Sequence, residues 1–270
     1  MRLMGKLKFW KKTSRVAVIP LTGVIAAGAR GLGGSQLSDA ALAPVIERAF
    51  RKGKPSAVAL AINSPGGSPV QSSLIGARIR RLADKLNLPV YAFCEDVAAS
   101  GGYWLACAAD EIFVDPSSIV GSIGVISASF GFHELLERQG IERRVHTAGE
   151  NKSLMDPFKP EQPDQVERLK ALQAQIHQTF IDHVKTSRGG KLPDKDLFTG
   201  EVWVGQSAVE TGLADGIAHL VPKMQELYGQ EVRFINYGQK KSFAQRFGLS
   251  SLMNPTQAIE ERAEWSRYGL

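Results

Sequence analysis

Three short segments of the chain combine residue types that support nucleophilic catalysis. The first reads INSPGGS over residues 62–68 and lies between a β-branched run and a helical pattern. Its proline and two glycines predict a tight turn whose backbone N–H groups face open space. Such donors stabilise an oxyanion well, because they meet developing negative charge without reorganising. Taken alone, however, this segment predicts only a turn.

The second segment places a serine among small residues. Ser100 lies in AASGGY, residues 98–103, after a predicted strand and before an apolar helical pattern. Its small neighbours leave the hydroxyl accessible. A helix that begins at Gly101 would direct its first N–H groups towards a group attached to Ser100. The same composition is equally typical of a closely packed helix that uses Ser100 as its N-cap.

The third segment supplies a candidate base. Lys152 lies in a predicted loop after the predicted strand 141–147. A single lysine in a loop is usually solvated, but Leu154, Met155 and Phe158 follow this one, so we expect partial desolvation. Burial lowers the pKa of a lysine amine towards neutrality, which is the condition for a lysine to act as a general base.

The elements around these segments predict an α/β fold. Short β-branched runs alternate with helical patterns, which favours βαβ units around a largely parallel sheet. The predicted strands are 16–25, 56–62, 89–94, 111–114, 141–147 and 231–236. The predicted helices are 38–52, 70–86, 101–109, 161–187, 206–212 and 242–248.

Composition narrows the function classes. The 270 residues carry 33 Lys and Arg against 27 Asp and Glu, a mild basic excess that is concentrated at the N-terminus. No aromatic-basic alternation follows that block, so we expect no nucleic-acid partner. The histidines lack metal-ligand spacing, and we expect no metal and no cofactor. Cys94 and Cys107 lie in apolar stretches, which favours reduced core thiols.

The order of these segments along the chain resembles the signal peptide peptidase A family of serine proteases, peptidase family S49. The resemblance rests on a strand followed by SPGG, a strand followed by AASGGY, and a later strand that leads to Lys152. Further matching segments lie at 115–125, 200–205 and 208–215, so the resemblance covers roughly residues 15–250.

This resemblance implies a role for each candidate site residue. The serine of the family attacks the peptide carbonyl and the lysine takes its proton. Matching residues here are Ser100 as nucleophile, Lys152 as base, Ser122 as the residue that orients the lysine amine, and Gly67 and Gly101 as oxyanion donors, with Gly66 as an alternative to Gly67. The implied reaction is endopeptidase cleavage of hydrophobic peptides, such as remnant signal peptides or segments of misfolded membrane proteins.

The resemblance also implies an architecture and an assembly. We expect a single-domain, Clp/crotonase-like spiral of ββα units that assembles into a homo-oligomeric ring. The expected boundaries are a basic tail at 1–14, the peptidase domain at 15–250 and a C-terminal tail at 251–270. Members of this family usually carry an N-terminal membrane anchor, and this sequence has no apolar stretch of about 18 residues.

The chain is therefore expected in the cytoplasm, with a peripheral contact at the inner membrane through residues 1–12. On a helix, Leu3, Leu7 and Trp10 of that segment fall on one face, while most of its basic residues lie outside the face. This pattern is typical of a helix in the lipid interface. A disordered charged tail has the same composition, so both interpretations stay open.

Three other functions compete with the Ser-Lys peptidase. A Clp-type triad needs a histidine after the helix of the serine, and residues 118–126 contain none. A crotonase-like acyl-CoA enzyme uses two backbone oxyanion donors but leaves the Ser100 and Lys152 pairing unexplained. A catalytically inactive scaffold for membrane-protein quality control has no need of the complete set of residues.

Overall fold

The computed structural model describes residues 13–27, 36–149, 151–238 and 262–270. The chain divides into two compact units. The first unit runs to Ile123 and resumes at His183, and the second comprises residues 124–182.

One mostly parallel sheet organises the first unit. Within the described residues it has eight strands, in the order β6-β5-β3-β2-β1-β8, and β4 pairs with both β3 and β7. Every pairing is parallel except that between β5 and β6. The strands are β1 (Arg15–Thr22), β2 (Ala57–Ser64), β3 (Val90–Ala99), β4 (Glu111–Val114), β5 (Ile119–Gly121), β6 (Val202–Val204), β7 (Gly216–Ile217) and β8 (Arg233–Asn236).

Both faces of the sheet are buried, as its parallel topology requires. Val18 of β1 and Phe93 of β3 belong to a core that includes Met224 of the helix Leu220–Tyr228. Ile19 and Leu60 point to the opposite face, because side chains alternate along a strand, and both are 0% exposed.

Seven α-helices lie between residues 39 and 228, and the described C-terminal residues add a short helical segment at 262–266. The seven helices are α1 (Asp39–Arg51), α2 (Pro69–Leu86), α3 (Gly101–Ala106), α4 (His133–Arg138), α5 (Pro163–Arg188), α6 (Gln206–Glu210) and α7 (Leu220–Tyr228). The start of α1 follows from its sequence, since Ser38 accepts a hydrogen bond from the N–H of Ala41 as an N-cap. Ser68 caps α2 in the same way through Gln71, with Pro69 as the first helical residue.

The second unit contains α4 and most of α5. Its aromatic rings form a short series: the ring centroids of Phe130 and Phe132 lie 6.3 Å apart, and those of Phe132 and Phe158 lie 5.6 Å apart. The guanidinium of Arg143 lies 4.8 Å from the ring centroid of Phe158. Of the described residues from Gly124 to Thr179, none is buried.

The predicted α/β fold with a largely parallel sheet is confirmed. The predicted strand 141–147 is wrong: these residues are exposed and form no strand. The described part of the chain offers them no partner strand, and an extended segment without a ladder is not a β-strand. The predicted helix 242–248 and the segment 1–12 lie outside the described residues. The expected domain boundaries at residues 15 and 250 stay predictions.

The structure also bears on membrane spanning. Among the described residues, no helix combines the length and the apolar character that crossing a membrane requires.

Candidate active site

Ser100 occupies the sharp turn between β3 and α3. Its backbone has φ +50° and ψ −121°, a left-handed conformation that is uncommon for a residue with a side chain. Its N–H donates to the carbonyl of Gly121 at 2.8 Å, and its carbonyl accepts the N–H of Trp104 at 3.0 Å. The turn leaves the side chain half-buried. Within its own unit, the hydroxyl has no hydrogen-bond partner among the described residues.

The SPGG turn packs directly against this elbow. A Cβ atom on Gly66, whose φ is +110°, would lie 2.8 Å from both the Cβ of Ser100 and the amide nitrogen of Gly101. A Cβ atom on Gly67 would lie 2.0 Å from the carbonyl oxygen of Ile25. The two glycines are therefore required because neighbouring backbone fills the space that a side chain would need.

Two backbone amides beside Ser100 lack an acceptor in the part of the first unit that the structure describes. The N–H groups of Gly67 and Gly101 have no acceptor among the described residues of their unit. The N–H of Gly66, by contrast, donates to the hydroxyl of Ser64 at 3.2 Å. The sequence left Gly66 and Gly67 open as candidate oxyanion donors. The hydrogen bonding of the turn favours Gly67.

The direction of the Gly67 amide follows from its neighbours. The carbonyl of Gly66 accepts the N–H of Ile25, and the N–H of Ser68 donates to the carbonyl of Ile25, both at 2.7 Å. Backbone groups alternate sides along an extended segment, so the intervening N–H of Gly67 faces away from Ile25.

Ser122 lies beside Ser100 through the sheet. Ala99, the last residue of β3, pairs with Gly121, the last residue of β5, so the residues that follow them, Ser100 and Ser122, are also neighbours. Ser122 has φ +52° and is 8% exposed, and its N–H donates to the carbonyl of Glu201 at 2.7 Å. Its hydroxyl accepts a hydrogen bond from the phenol of Tyr268 at 3.3 Å. Sequence reasoning did not anticipate the contact with Tyr268.

Lys152 lies in the second unit, in a turn that precedes α5. Its N–H donates to the carbonyl of Gly149 at 3.2 Å. The turn is attached to α5 through Met155, whose N–H donates to the side-chain oxygen of Gln165 at 3.2 Å. Within the second unit the lysine is exposed, so Leu154, Met155 and Phe158 do not bury it as expected. Those three residues are themselves only partly buried or exposed.

The cysteines are poorly suited to act as nucleophiles. Cys94 and Cys107 are free and buried, as the sequence predicted. Burial raises the pKa of each thiol to about 12, so that neither is a thiolate at neutral pH.

Both histidines of the first unit, His183 and His219, are bound to groups other than Ser100. Nε2 of His183 lies 3.1 Å from the carbonyl oxygen of Trp104, and the ring stacks on the indole with centroids 4.3 Å apart. His219 pairs with Asp115 at 2.8 Å, in a cleft of about 520 Å³ that Ser100 does not line. In the described chain, no cluster of His, Cys, Asp and Glu has the arrangement of a metal site.

A buried ion pair supports the loop segment to which helix α3 is hydrogen-bonded. The guanidinium of Arg188, which is 2% exposed, binds both carboxylate oxygens of Asp215 at 2.8 and 3.0 Å. The Nε of Arg188 donates to the carbonyl of Gly212, and the phenol of Tyr103 in α3 donates to Leu213 at 2.8 Å. Burial raises the pKa of Asp215, but the hydrogen bonds from Arg188 and Lys191 outweigh burial and lower it.

The relatives of this chain include proteases and a protein named as an ion antiporter. The chain is 47% identical to a Na(+)/H(+) antiporter NhaA of Brucella melitensis, over 97% of this chain and 38% of that protein. It is 33% identical to the chloroplastic serine protease SPPA of Arabidopsis thaliana, over 64% of this chain and 26% of the relative. Protease 4 of Haemophilus influenzae is 30% identical, over 85% of this chain and 37% of the relative.

The chain thus spans between a quarter and two fifths of the length of these relatives. The family model described as peptidase family S49 matches residues 83–230, more than half of the chain. That match includes Ser100, Ser122 and Lys152. The resemblance predicted from the motifs is confirmed, and the chain belongs to peptidase family S49, a family of serine-type peptidases.

Proposed function

We propose that the chain is a serine endopeptidase in which Ser100 is the nucleophile and Lys152 the general base. The observation that carries this proposal is the position of Ser100 on a strained turn, next to two backbone amides that have no acceptor among the described residues of their unit. Strained backbone conformations persist mainly where the surrounding structure enforces them for function. Membership of a peptidase family supports the same reaction.

In the proposed reaction, the Oγ of Ser100 forms a bond to the carbonyl carbon of the substrate while its proton passes to the neutral amine of Lys152. The negative charge that develops on the carbonyl oxygen is stabilised by the N–H groups of Gly67 and Gly101. The C–N bond then breaks as Lys152 returns the proton to the leaving amine. A water molecule releases the acyl group by the same steps. Ser122 orients the amine of Lys152 through a hydrogen bond.

The proposed substrates are hydrophobic peptides, such as remnant signal peptides or segments of misfolded membrane proteins. The surroundings of Ser100 support this choice, because Ala98, Ala99, Gly101 and Gly66 offer no charge with which a substrate side chain could pair. We expect small or apolar residues next to the cleaved bond. A peptide library tests this expectation, and a dominant preference for acidic or basic residues would contradict it.

We also propose that the chain assembles into a homo-oligomeric ring. Between Gly124 and Thr179, large apolar side chains such as Phe130, Leu135 and Ile141 are exposed at 80%, 48% and 57%. Exposed apolar surface of this kind is typical of protein interfaces. In the ring, a neighbouring copy of the chain would cover this surface. Sedimentation velocity measures the assembly. A monomer at micromolar concentration would contradict the proposal.

A peripheral membrane contact through residues 1–12 completes the proposal. Its support comes from the basic amphipathic sequence of the segment and from the name of the Brucella relative, which is that of an ion antiporter. Anionic lipid would contribute on the order of 1 kcal/mol per basic residue near the surface. Co-sedimentation with anionic liposomes compares the full chain with a chain that starts at Ser14. Equal binding by the two would contradict this contact.

Turnover of unfolded casein tests the peptidase itself. Ser100→Ala and Lys152→Ala are each expected to abolish cleavage, because each removes half of one proton-transfer step. Unchanged thermal unfolding shows that the variants fold. Retention of more than about a tenth of the wild-type rate in Lys152→Ala would show that another base acts, since the loss of a general base lowers the rate by about 10²–10⁴-fold.

A further inference from the structure

Ser64 connects the end of β1 to the turn that carries Gly67. The residue is fully buried, with 0% of its surface exposed. Its hydroxyl donates to the carbonyl of Gly23 at 2.7 Å, and the same oxygen accepts the N–H of Gly66 at 3.2 Å. A single buried hydroxyl therefore adds a side-chain link between two backbone segments that the bond from Gly23 to Asn63 and the bridge of Ile25 with Gly67 also join.

This hydroxyl determines which amide of the turn stays free. Pro65 has no N–H, the N–H of Gly66 is bound by Ser64, and the N–H of Ser68 donates to Ile25. Among residues 65–68, only the N–H of Gly67 lacks an acceptor in its unit as the structure describes it. Without the hydroxyl of Ser64, the buried N–H of Gly66 would lose its acceptor, and the cost of that loss favours a shift of the turn.

The same turn is in close contact with the start of α3. A Cβ atom on Gly102 would lie 2.4 Å from the carbonyl oxygen of Ser64, and one on Gly101 would lie 3.4 Å from the Cα of Gly66. Close-packed backbone of this kind transmits a displacement instead of absorbing it. Ser64 and its turn are therefore packed against the backbone that carries the amide of Gly101.

We propose that Ser64 is a positioning residue for the oxyanion site, acting through the turn on the N–H of Gly67. This inference rests on the proposed peptidase function. Oxyanion donors are effective because they are fixed before the charge develops, and small misplacements near reacting atoms have large effects on rate. The role of Ser64 therefore concerns the transition state and leaves the binding of the substrate unaffected.

Ser64→Ala tests the proposal, and Ser187→Ala is its matched control. Ser187 also donates to a backbone carbonyl at 2.7 Å, that of Cys107, but it accepts no backbone N–H among the described residues. Loss of a complete oxyanion donor lowers kcat by about 10²–10³-fold. For a misplaced donor we expect Ser64→Ala to lower kcat by about tenfold to a hundredfold with KM unchanged. Ser187→Ala is expected to keep the wild-type kcat.

A peptide aldehyde gives a readout that a merely structural role would not change. The tetrahedral adduct of the aldehyde places an oxyanion in the site. The inhibition constant should therefore rise in Ser64→Ala by the same factor by which kcat falls. Equal kcat and equal aldehyde affinity in Ser64→Ala and Ser187→Ala would overturn the proposal. If Ser64→Ala does not fold, Ser64→Cys serves instead, because sulfur is a weak acceptor and should cause a smaller loss of the same kind.

Labelling of the wild type separates this proposal from the proposed function. A fluorophosphonate that fails to label Ser100 in the wild-type protein would contradict the peptidase itself. A labelled, active wild type with an unaffected Ser64→Ala variant would overturn only the role of Ser64.

Discussion

The amide of Ser100 donates a 2.8 Å hydrogen bond to the carbonyl of Gly121, at the point where β3 ends and α3 begins. This bond continues the β3–β5 ladder by one residue and holds the candidate nucleophile against the strand that leads to Ser122. The position of Ser100 is therefore set by the sheet and by the helix together, which restricts the substitutions that the surrounding backbone tolerates.

Gly102→Ala is expected to damage both stability and activity. The added Cβ would lie 2.4 Å from the carbonyl oxygen of Ser64, and backbone atoms cannot move aside as a flexible side chain does. Overpacking of this kind typically costs about 1–3 kcal/mol in the free energy of unfolding. Urea unfolding and casein turnover measure the two effects.

Gly76→Ala is the matched control for Gly102→Ala. Gly76 lies inside α2, and its Cβ would meet the ring of Trp104 at 3.4 Å, an ordinary contact. Alanine is the better helix former by about 0.5–1 kcal/mol, so this variant should be at least as stable as the wild type. Equal stability of the two variants would contradict the close packing inferred at Gly102.

Arg188→Met is expected to lower the free energy of unfolding by about 3–5 kcal/mol. It leaves the carboxylate of Asp215 in a largely buried site without its bidentate partner, and breaking a buried ion pair typically has an effect of this size. Lys191→Ala removes the second cation that binds Asp215. Because the side chain of Lys191 is half exposed, this change should cost at most about 1 kcal/mol. Similar losses in the two variants would show that burial of the pair is not decisive.

His183 is expected to make stability depend on pH. Burial lowers the pKa of its imidazole below the ordinary value of 6.5, although the carbonyl of Trp104 opposes that shift. The unfolded chain therefore takes up a proton at a higher pH than the folded chain does. The stability contributed by the neutral ring is fully present above about pH 6.5 and is lost as the pH falls through the lower, folded-state pKa.

His183→Gln isolates that contribution, because glutamine can donate to Trp104 but does not titrate in this range. Urea unfolding of both proteins at several pH values between 8 and 5 gives the difference in free energy of unfolding. Below about pH 6.5, the free energy of unfolding of the wild type should fall relative to that of the variant. A difference that stays constant across the range would contradict the neutral, buried state of His183.

The sequence predicts the strands correctly where apolar periodicity and turn residues agree. The predicted strands 16–25, 56–62, 89–94 and 111–114 correspond to β1–β4, and the SPGG and AASGGY segments follow β2 and β3 as expected. The extension of β3 to Ala99 was not predicted, because the charged pair Glu95 and Asp96 interrupts its apolar run. Strands of two or three residues such as β5 and β7 carry too little periodicity to be recognised.

The rest of the site depends on contacts between distant segments. The hydrogen bond from the Gly66 amide to Ser64, which distinguishes Gly67 as the candidate donor, depends on the folded turn and has no signal in the sequence. The prediction of a strand at 141–147 is wrong because β-branched residues do not by themselves provide a neighbouring strand to pair with. The expected desolvation of Lys152 failed because nearby apolar residues in the sequence do not ensure burial.

The most direct test of the central claim is covalent labelling by a fluorophosphonate, with the modified residue identified by peptide mass spectrometry. We predict a single adduct on Ser100 in the wild-type protein, no adduct in Ser100→Ala, and a labelling rate lowered by about a hundredfold or more in Lys152→Ala. Labelling of a different residue, or labelling of Ser100 at the wild-type rate in Lys152→Ala, would contradict the assignment of Ser100 and Lys152 as nucleophile and base.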